Sequence, residues 1–253
     1  MQTSTEIKEE RNIKLIIEYD GTNYHGWQRQ PNAISVQQTI EQVLNKITKQ
    51  RICIIGAGRT DSGVHACGQV ANFKTKCSIP IEKVPNALNS ILPKDIIIKD
   101  AVLAAEEFHA RYAAKGKKYS YIINHTKFPS AFRRNLEYHY PQKLDIEGIN
   151  NAMQIFIGSH DFKGFMSTGG EIRETIRTIF NFDLKQEEER LIFEISGNGF
   201  LYNMVRIIIG TLIDVGRRKI NISDIQEALI KGDRSKAGKT APPQGLYLEE
   251  VYY

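Results

Sequence analysis

Cysteine is scarce in this 253-residue chain: three residues, Cys53, Cys67 and Cys77, none in a Cys-x-x-Cys pair and none in a Cys/His cluster that suggests a zinc site. That excludes a disulfide-stapled miniprotein. The odd, scattered thiols fit a reducing cytosol and read as small buried apolar side chains. Long apolar runs are missing too. The longest, Leu201 to Val215, is interrupted by Asn203, Arg206 and Asp214, and is too short and too charged to span a bilayer. The opening MQTSTEIKEERN has no apolar core, so no signal peptide is expected, and residues 1–12 read as a disordered lead-in. One-sided charge is also absent. Lys+Arg is 34 and Asp+Glu is 29, a net +5 that permits a polyanionic partner without requiring one.

What is present is ordinary globular material: 41% hydrophobic and 25% charged residues, enough for one large domain or two small ones. Strands are expected over 14–19, 51–55, 70–75, 96–98 and 118–124, then as a hairpin of 178–184 and 191–196, and over 246–251. Helices are expected after Ser35, with Gln38 completing a capping box, around Val84 to Leu92, after Asp145, over Leu201 to Val215, and after Ser223 with Gln226. Hairpins mixed with helices, without strict βαβ alternation, indicate an α+β fold. The boundary falls near residues 105–112, giving an N-terminal half over 13–108 and a C-terminal half over 109–253.

The run GAGRTDSGVHA, Gly56 to Ala66, follows an apolar strand. A dinucleotide loop would need a helix directly after the glycines, so that its N-terminus meets a pyrophosphate. A loop and then a strand are expected here instead. The second reading takes the glycines as backbone permission for a sharp loop that carries Arg59 and Asp61. Arg59 folded back on Asp61 would keep that carboxylate ionised, as a nucleophile, a base or an electrostatic stabiliser, or would simply hold the loop.

Residues 109–134 carry seven cations, Arg111, Lys115, Lys117, Lys118, Lys127, Arg133 and Arg134, and no Asp or Glu. Tyr112, Tyr119, Tyr121, Phe128 and Phe132 lie among them. Cations track phosphates and aromatic faces stack unpaired bases, so this run points to nucleic acid. Tyr119, Tyr121 and Ile123 share one strand face, which equally suits a core. Arg206 sits mid-helix beside the apolar stripe of Leu201, Met204, Val205, Ile208, Leu212 and Val215. It either leaves the stripe edge for water or reaches a carboxylate, for which Asp61 is a candidate.

Taken in order, YDGTNYHGWQRQP (19–31), GAGRTDSGVHACGQVANF (56–73), FHARYAAKGKKYSYII (108–123), NGFLYNMVRIIIGTL (198–212) and TAPPQGLYL (240–248) resemble the TruA-type tRNA pseudouridine synthases over nearly the whole chain. The resemblance implies two similar α/β halves around a central, mostly antiparallel sheet with a basic cleft. It implies a cytoplasmic homodimer that grips tRNA with both subunits and converts uridine to pseudouridine at positions 38, 39 and 40 of the anticodon stem-loop. On the matching positions, Asp61 is the catalytic aspartate, Tyr119 stacks on the target base, Arg206 pairs with Asp61, and Arg59 helps flip or hold the nucleotide. Arg111, Lys115, Lys117 and Lys118 are expected to contact RNA. Two positions depart from the pattern: Ser62 stands where alanine is usual and Asn72 where histidine is common.

Pseudouridine formation breaks the C1′–N1 bond, rotates the base and forms C1′–C5. Atoms and oxidation state are conserved, so no cofactor, metal or membrane is expected. One carboxylate near the sugar is needed, and flipping must bring the base out of its stack. Asp61 attacks C1′ or takes the 2′ proton. Two rivals are a non-catalytic RNA-binding protein of RRM-like halves, although no RNP1-type run is present, and a dinucleotide enzyme built on Gly56 and Gly58.

Overall fold

The computed structural model describes residues 9–168 and 174–253; the first eight residues of the expected lead-in lie outside them. The chain divides between Ala114 and Lys115 into two units.

In the first unit β1 (Arg11–Tyr19) is the middle strand, and β2 (Ile55–Gly56) is a short addition to β3 (His65–Thr75). On its two sides β1 pairs antiparallel with β3 and with β4 (Ile96–Ala104). Alternation buries Ile13, Leu15, Ile17 and Tyr19. Ile13 and Phe73 line an apolar cavity together with Leu44 and Ile47 of α1 (Val36–Thr48) and Val84 and Leu88 of α2 (Val84–Asn89), so both helices cover this face. Each such aliphatic side chain contributes about 1.5–3 kcal/mol when buried.

β1 takes Arg11 and Asn12 from the expected lead-in, because the Arg11 guanidinium donates to the carbonyls of Cys77 and Ile79 at the far end of β3. Ser35 caps α1 by accepting from the Gln38 N–H at 3.3 Å. The Gln38 side chain does not complete the box, and its Oε1 is buried with no partner among the described residues. Residues 51–54 alternate as a strand should, yet only Ile55 and Gly56 join a ladder. The reason is that side chains of α1 take the backbone donors: Ile52 N–H goes to Asn45 Oδ1 (2.6 Å) and Ile54 N–H to Glu41 Oε1 (2.9 Å). The same alternation buries Ile52 and Ile54 and turns Cys53 outward, so this thiol is exposed, while Cys67 and Cys77 are half-buried.

The second unit is built on β5 (Gly116–Asn124). Its other strands are β6 (Tyr138–His139), β7 (Gly158–Asp161), β8 (Ile176–Glu187), β9 (Arg190–Gly197) and β10 (Leu246–Tyr252). The order is β10-β5-β9-β8-β7, antiparallel throughout. β6 pairs parallel, with Ile123 and Asn124 at the end of β5. Hairpin pairing in both units, with helices packed on the sheets, makes the fold α+β.

The helices of this unit are α3 (Ile146–Gln154), α4 (Met204–Gly216) and α5 (Ile222–Lys231). Asp145 caps α3 through the Gly148 N–H at 3.0 Å. Phe156, Phe162, Phe165, Phe182 and Phe193 form a buried aromatic cluster. α4 starts at Met204 rather than Leu201, because Asn203 takes a left-handed conformation (φ 60°) as its cap. Arg206 therefore stands in the first turn, not mid-helix. α5 is capped by Asn221 and Asp224, two residues ahead of the expected Ser223 and Gln226, in a reciprocal capping box.

Candidate active site

Asp61 lies on the loop between β2 and β3. Its carbonyl accepts the Val64 N–H at 3.1 Å, closing a turn with Gly63 at φ 75°. That positive φ in the third position of a β-turn is favourable only for glycine or asparagine. No helix follows Gly56-Ala57-Gly58. The loop runs directly into β3 at His65, which removes the dinucleotide reading.

The segment after β1 braces this loop. Trp27 N–H donates to Thr60 O (3.1 Å) and Gly63 N–H donates to Tyr24 O (3.2 Å). The Ser62 hydroxyl also donates to Tyr24 O, at 3.4 Å, so this departure from the family pattern strengthens the brace. A side chain at Gly26 (φ 83°) would place its Cβ 2.4 Å from Thr60 O, so only glycine allows this approach. From below, Tyr19 Oη and Thr60 Oγ1 share a buried hydrogen bond of 2.8 Å. Burial pushes the Tyr19 phenol far above its usual range, so the hydroxyl stays protonated. Gln69, fully buried, donates to Gly58 O at 3.0 Å, and buried His65 accepts the Gly21 N–H on Nδ1 at 3.0 Å.

Arg59 is exposed and makes no hydrogen bond or ion pair among the described residues. The expected fold-back onto Asp61 is not formed. One residue further on, Thr60 is held by Tyr19 and Trp27, which fixes the backbone and leaves the Arg59 side chain pointing to solvent.

In the second unit, Tyr119 is buried on β5 between Ile195 of β9 and Leu248 of β10, with its ring edge-on to Phe200 at 5.2 Å and 83°. Tyr121 is the core residue of the pair, donating its hydroxyl to Pro242 O at 2.8 Å. Arg206 donates from Nε to Ala241 O (2.8 Å) and from one terminal nitrogen to Asn203 Oδ1 (2.8 Å). Ala241 N–H returns to Arg206 O at 3.0 Å. The 241–242 segment thus orients both the arginine on α4 and the tyrosine on β5.

The basic stretch divides. Arg111 and Lys115 are exposed, Arg111 lying 5.9 Å from the Tyr112 ring. Lys117 is half-buried. Lys118 pairs with Glu194 at 3.0 Å, and Glu194 also binds Lys185 at 2.7 Å. The hydrogen bond that Lys118 donates to the Glu194 carboxylate raises the Lys118 pKa. Asn72, the second departure, is buried. Its amide donates to Asn12 Oδ1 (2.9 Å) and Phe108 O (3.2 Å), and its oxygen accepts the Ala110 N–H (2.9 Å). It anchors the strand exit that carries Arg111.

Tyr19, Thr60, His65 and Gln69 escaped the sequence reading as supports of the loop. The signal was the YDG and GW pairs of 19–27, where two glycines close to aromatics mark close backbone packing. Among the described residues no cluster of His, Cys, Asp or Glu could hold a metal, and no helix is long and apolar enough to cross a membrane.

Comparison with known proteins places these residues in context. A family model described as tRNA pseudouridine synthase matches residues 15–113 and 152–253. A tRNA pseudouridine synthase A of Acetivibrio thermocellus is 52% identical over 96% of this chain and 100% of its own length. Relatives of the same name from Caldicellulosiruptor bescii and a Thermoanaerobacter species are 52% and 49% identical over the same shares.

Proposed function

The chain belongs to the tRNA pseudouridine synthase family, and from that premise we propose that it isomerises uridine to pseudouridine at positions 38, 39 and 40 of the tRNA anticodon stem-loop. The observation that carries the reading is the family match across both units together with Asp61 on a loop held from two sides.

Asp61 is the catalytic carboxylate. Attack on C1′ and removal of the 2′ proton both need it ionised and oriented, and Arg206 is the cation we assign to it. In the first case the C1′–N1 electron pair leaves with the uracil, and the ester to Asp61 breaks when C5 bonds to C1′. In the second the 2′ proton moves to Asp61 as N1 departs, leaving a C1′=C2′ double bond, and it returns to C2′ as C5 bonds to C1′. Either way the C5 proton is finally lost and N1 gains one, so the product is an isomer. Tyr119 presents its ring to the base while Phe200 fixes its tilt. Its hydroxyl is our candidate for helping remove the C5 proton. Exposed Arg59 braces the place of the flipped nucleotide, and Arg111, Lys115, Lys117 and Lys118 contact the RNA backbone, Lys118 by exchanging Glu194 for phosphate. The enzyme acts without a cofactor, as a cytoplasmic homodimer.

Incubation with unmodified tRNA followed by pseudouridine mapping tests activity and site choice together. New pseudouridine at positions 38, 39 and 40 is expected. Modification only elsewhere would overturn the site assignment, and none at all the activity.

A further inference from the structure

Between β5 and β6 the chain makes an excursion over residues 125–137 that the reaction does not use. Its root is built into the fold. Glu137, buried, receives hydrogen bonds from Asn124 and from Arg190 (3.1 Å), and Thr126 N–H donates to Asn124 Oδ1 (2.9 Å). The acidic β8–β9 turn touches this root, where the Glu189 carbonyl accepts the His125 N–H at 2.7 Å.

The tip is the opposite in character. Phe132 is 95% exposed and Phe128 71%. Lys127, Arg133 and Arg134 are exposed around them, and none of the three has an ion pair among the described residues. Lys127 Nζ lies 5.2 Å from the Phe128 ring centre, and Arg134 bonds back to Ala131 O at 2.6 Å, which holds the tip in shape. No Asp or Glu occurs over 125–136. Single exposed apolar residues are common, but two bare phenyl rings four residues apart, with cations free of ion pairs beside them on an anchored loop, form a surface with a partner's chemistry written on it.

We propose that the tip from Lys127 to Arg134 is an RNA-docking surface for unpaired nucleotides of the substrate other than the reacting uridine. The two rings stack bases, and the three cations take the flanking phosphates. This rests on the reading of the chain as a tRNA-modifying enzyme and adds a contact to it. Charge favours RNA over a second copy of the chain. A twofold contact through this tip would set three cations against the same three.

The test uses the full chain and an unmodified tRNA transcript, with binding followed by fluorescence anisotropy over a range of salt. Phe128→Ala with Phe132→Ala weakens binding about tenfold or more. Lys127→Ala with Arg133→Ala and Arg134→Ala lowers the salt slope of log Kd by about two. Single-turnover isomerisation at saturating tRNA stays at the wild-type rate in both. Phe132→Trp retains binding, whereas Phe132→Leu, equally apolar but without a π-face, weakens it, by less than the double Ala variant does. The exposed positions leave the melting temperature unchanged. Unaltered binding overturns the proposal. So does a Leu variant that behaves as wild type while the Ala pair shifts sedimentation to a smaller species, since the tip would then hold a second copy. If the wild-type chain binds tRNA through this tip yet makes no pseudouridine, the docking surface stands and the assigned reaction fails.

Discussion

Tyr19 Oη and Thr60 Oγ1 share a 2.8 Å hydrogen bond in the interior, one residue before Asp61. Replacing Tyr19 with Phe leaves the Thr60 hydroxyl buried without that partner, a cost of about 1–3 kcal/mol. A melting-temperature drop is expected, with kcat falling more than KM because the carboxylate is displaced rather than the RNA released. Thr60→Val with Tyr19→Phe should recover part of the stability and none of the lost kcat.

Asp61→Asn keeps the size and the loop turn and removes the charge. Binding of tRNA persists, while tritium release from C5-labelled uridine falls by about 10²–10⁴-fold or more. Full turnover by this variant would sink the assignment of the catalytic group.

Tyr119→Phe retains the edge-on packing on Phe200 and the stacking face, so tRNA affinity stays within about twofold, where stacking is worth about 1–3 kcal/mol per base. Tyr119→Leu loses the ring face and should weaken binding. A large affinity loss in the Phe variant alone would place the recognition in the hydroxyl.

Arg206 is held by Ala241 O and Asn203 Oδ1, so Arg206→Leu removes two hydrogen bonds as well as the charge assigned to Asp61. Both the melting temperature and the single-turnover rate should fall. Arg206→Lys keeps the charge without the planar fork and should recover part of the rate. Unchanged rate and stability in the Leu variant would show that the arginine is not the partner of Asp61.

Hydrogen bonds from Lys185 and then Lys118 hold the Glu194 carboxyl below its ordinary range. A carboxylate whose folded pKa is lowered stabilises the fold above its unfolded pKa, and that contribution is lost as pH falls through the lowered folded value. Glu194→Gln should therefore melt below wild type at neutral pH, with the gap closing in acid. Thermal melts at a series of pH values measure it.

The sequence showed most elements because their periodicity is local. Ile13, Leu15 and Ile17 alternate, and Ser35 and Asp145 cap their helices as expected. It misled where a distant side chain replaces a ladder. Nothing near Ile52 or Ile54 announces that Asn45 and Glu41 take their N–H groups. For the site, the motif residues were visible, but their supports were not. Tyr19 reads as the end of a strand, and its bond to Thr60 spans 41 positions of sequence. Arg59 beside Asp61 suggested a pair, and the fixed Thr60 backbone between them prevents it.

The brace around Asp61 is made largely of main-chain atoms: Tyr24 O, Trp27 N, Thr60 O and Gly63 N. His25 and Gln28, between and beside these atoms, are exposed. Over evolutionary descent such a segment can change its outward side chains freely. It cannot gain or lose a residue, because each insertion or deletion would slide every carbonyl past the N–H it must meet.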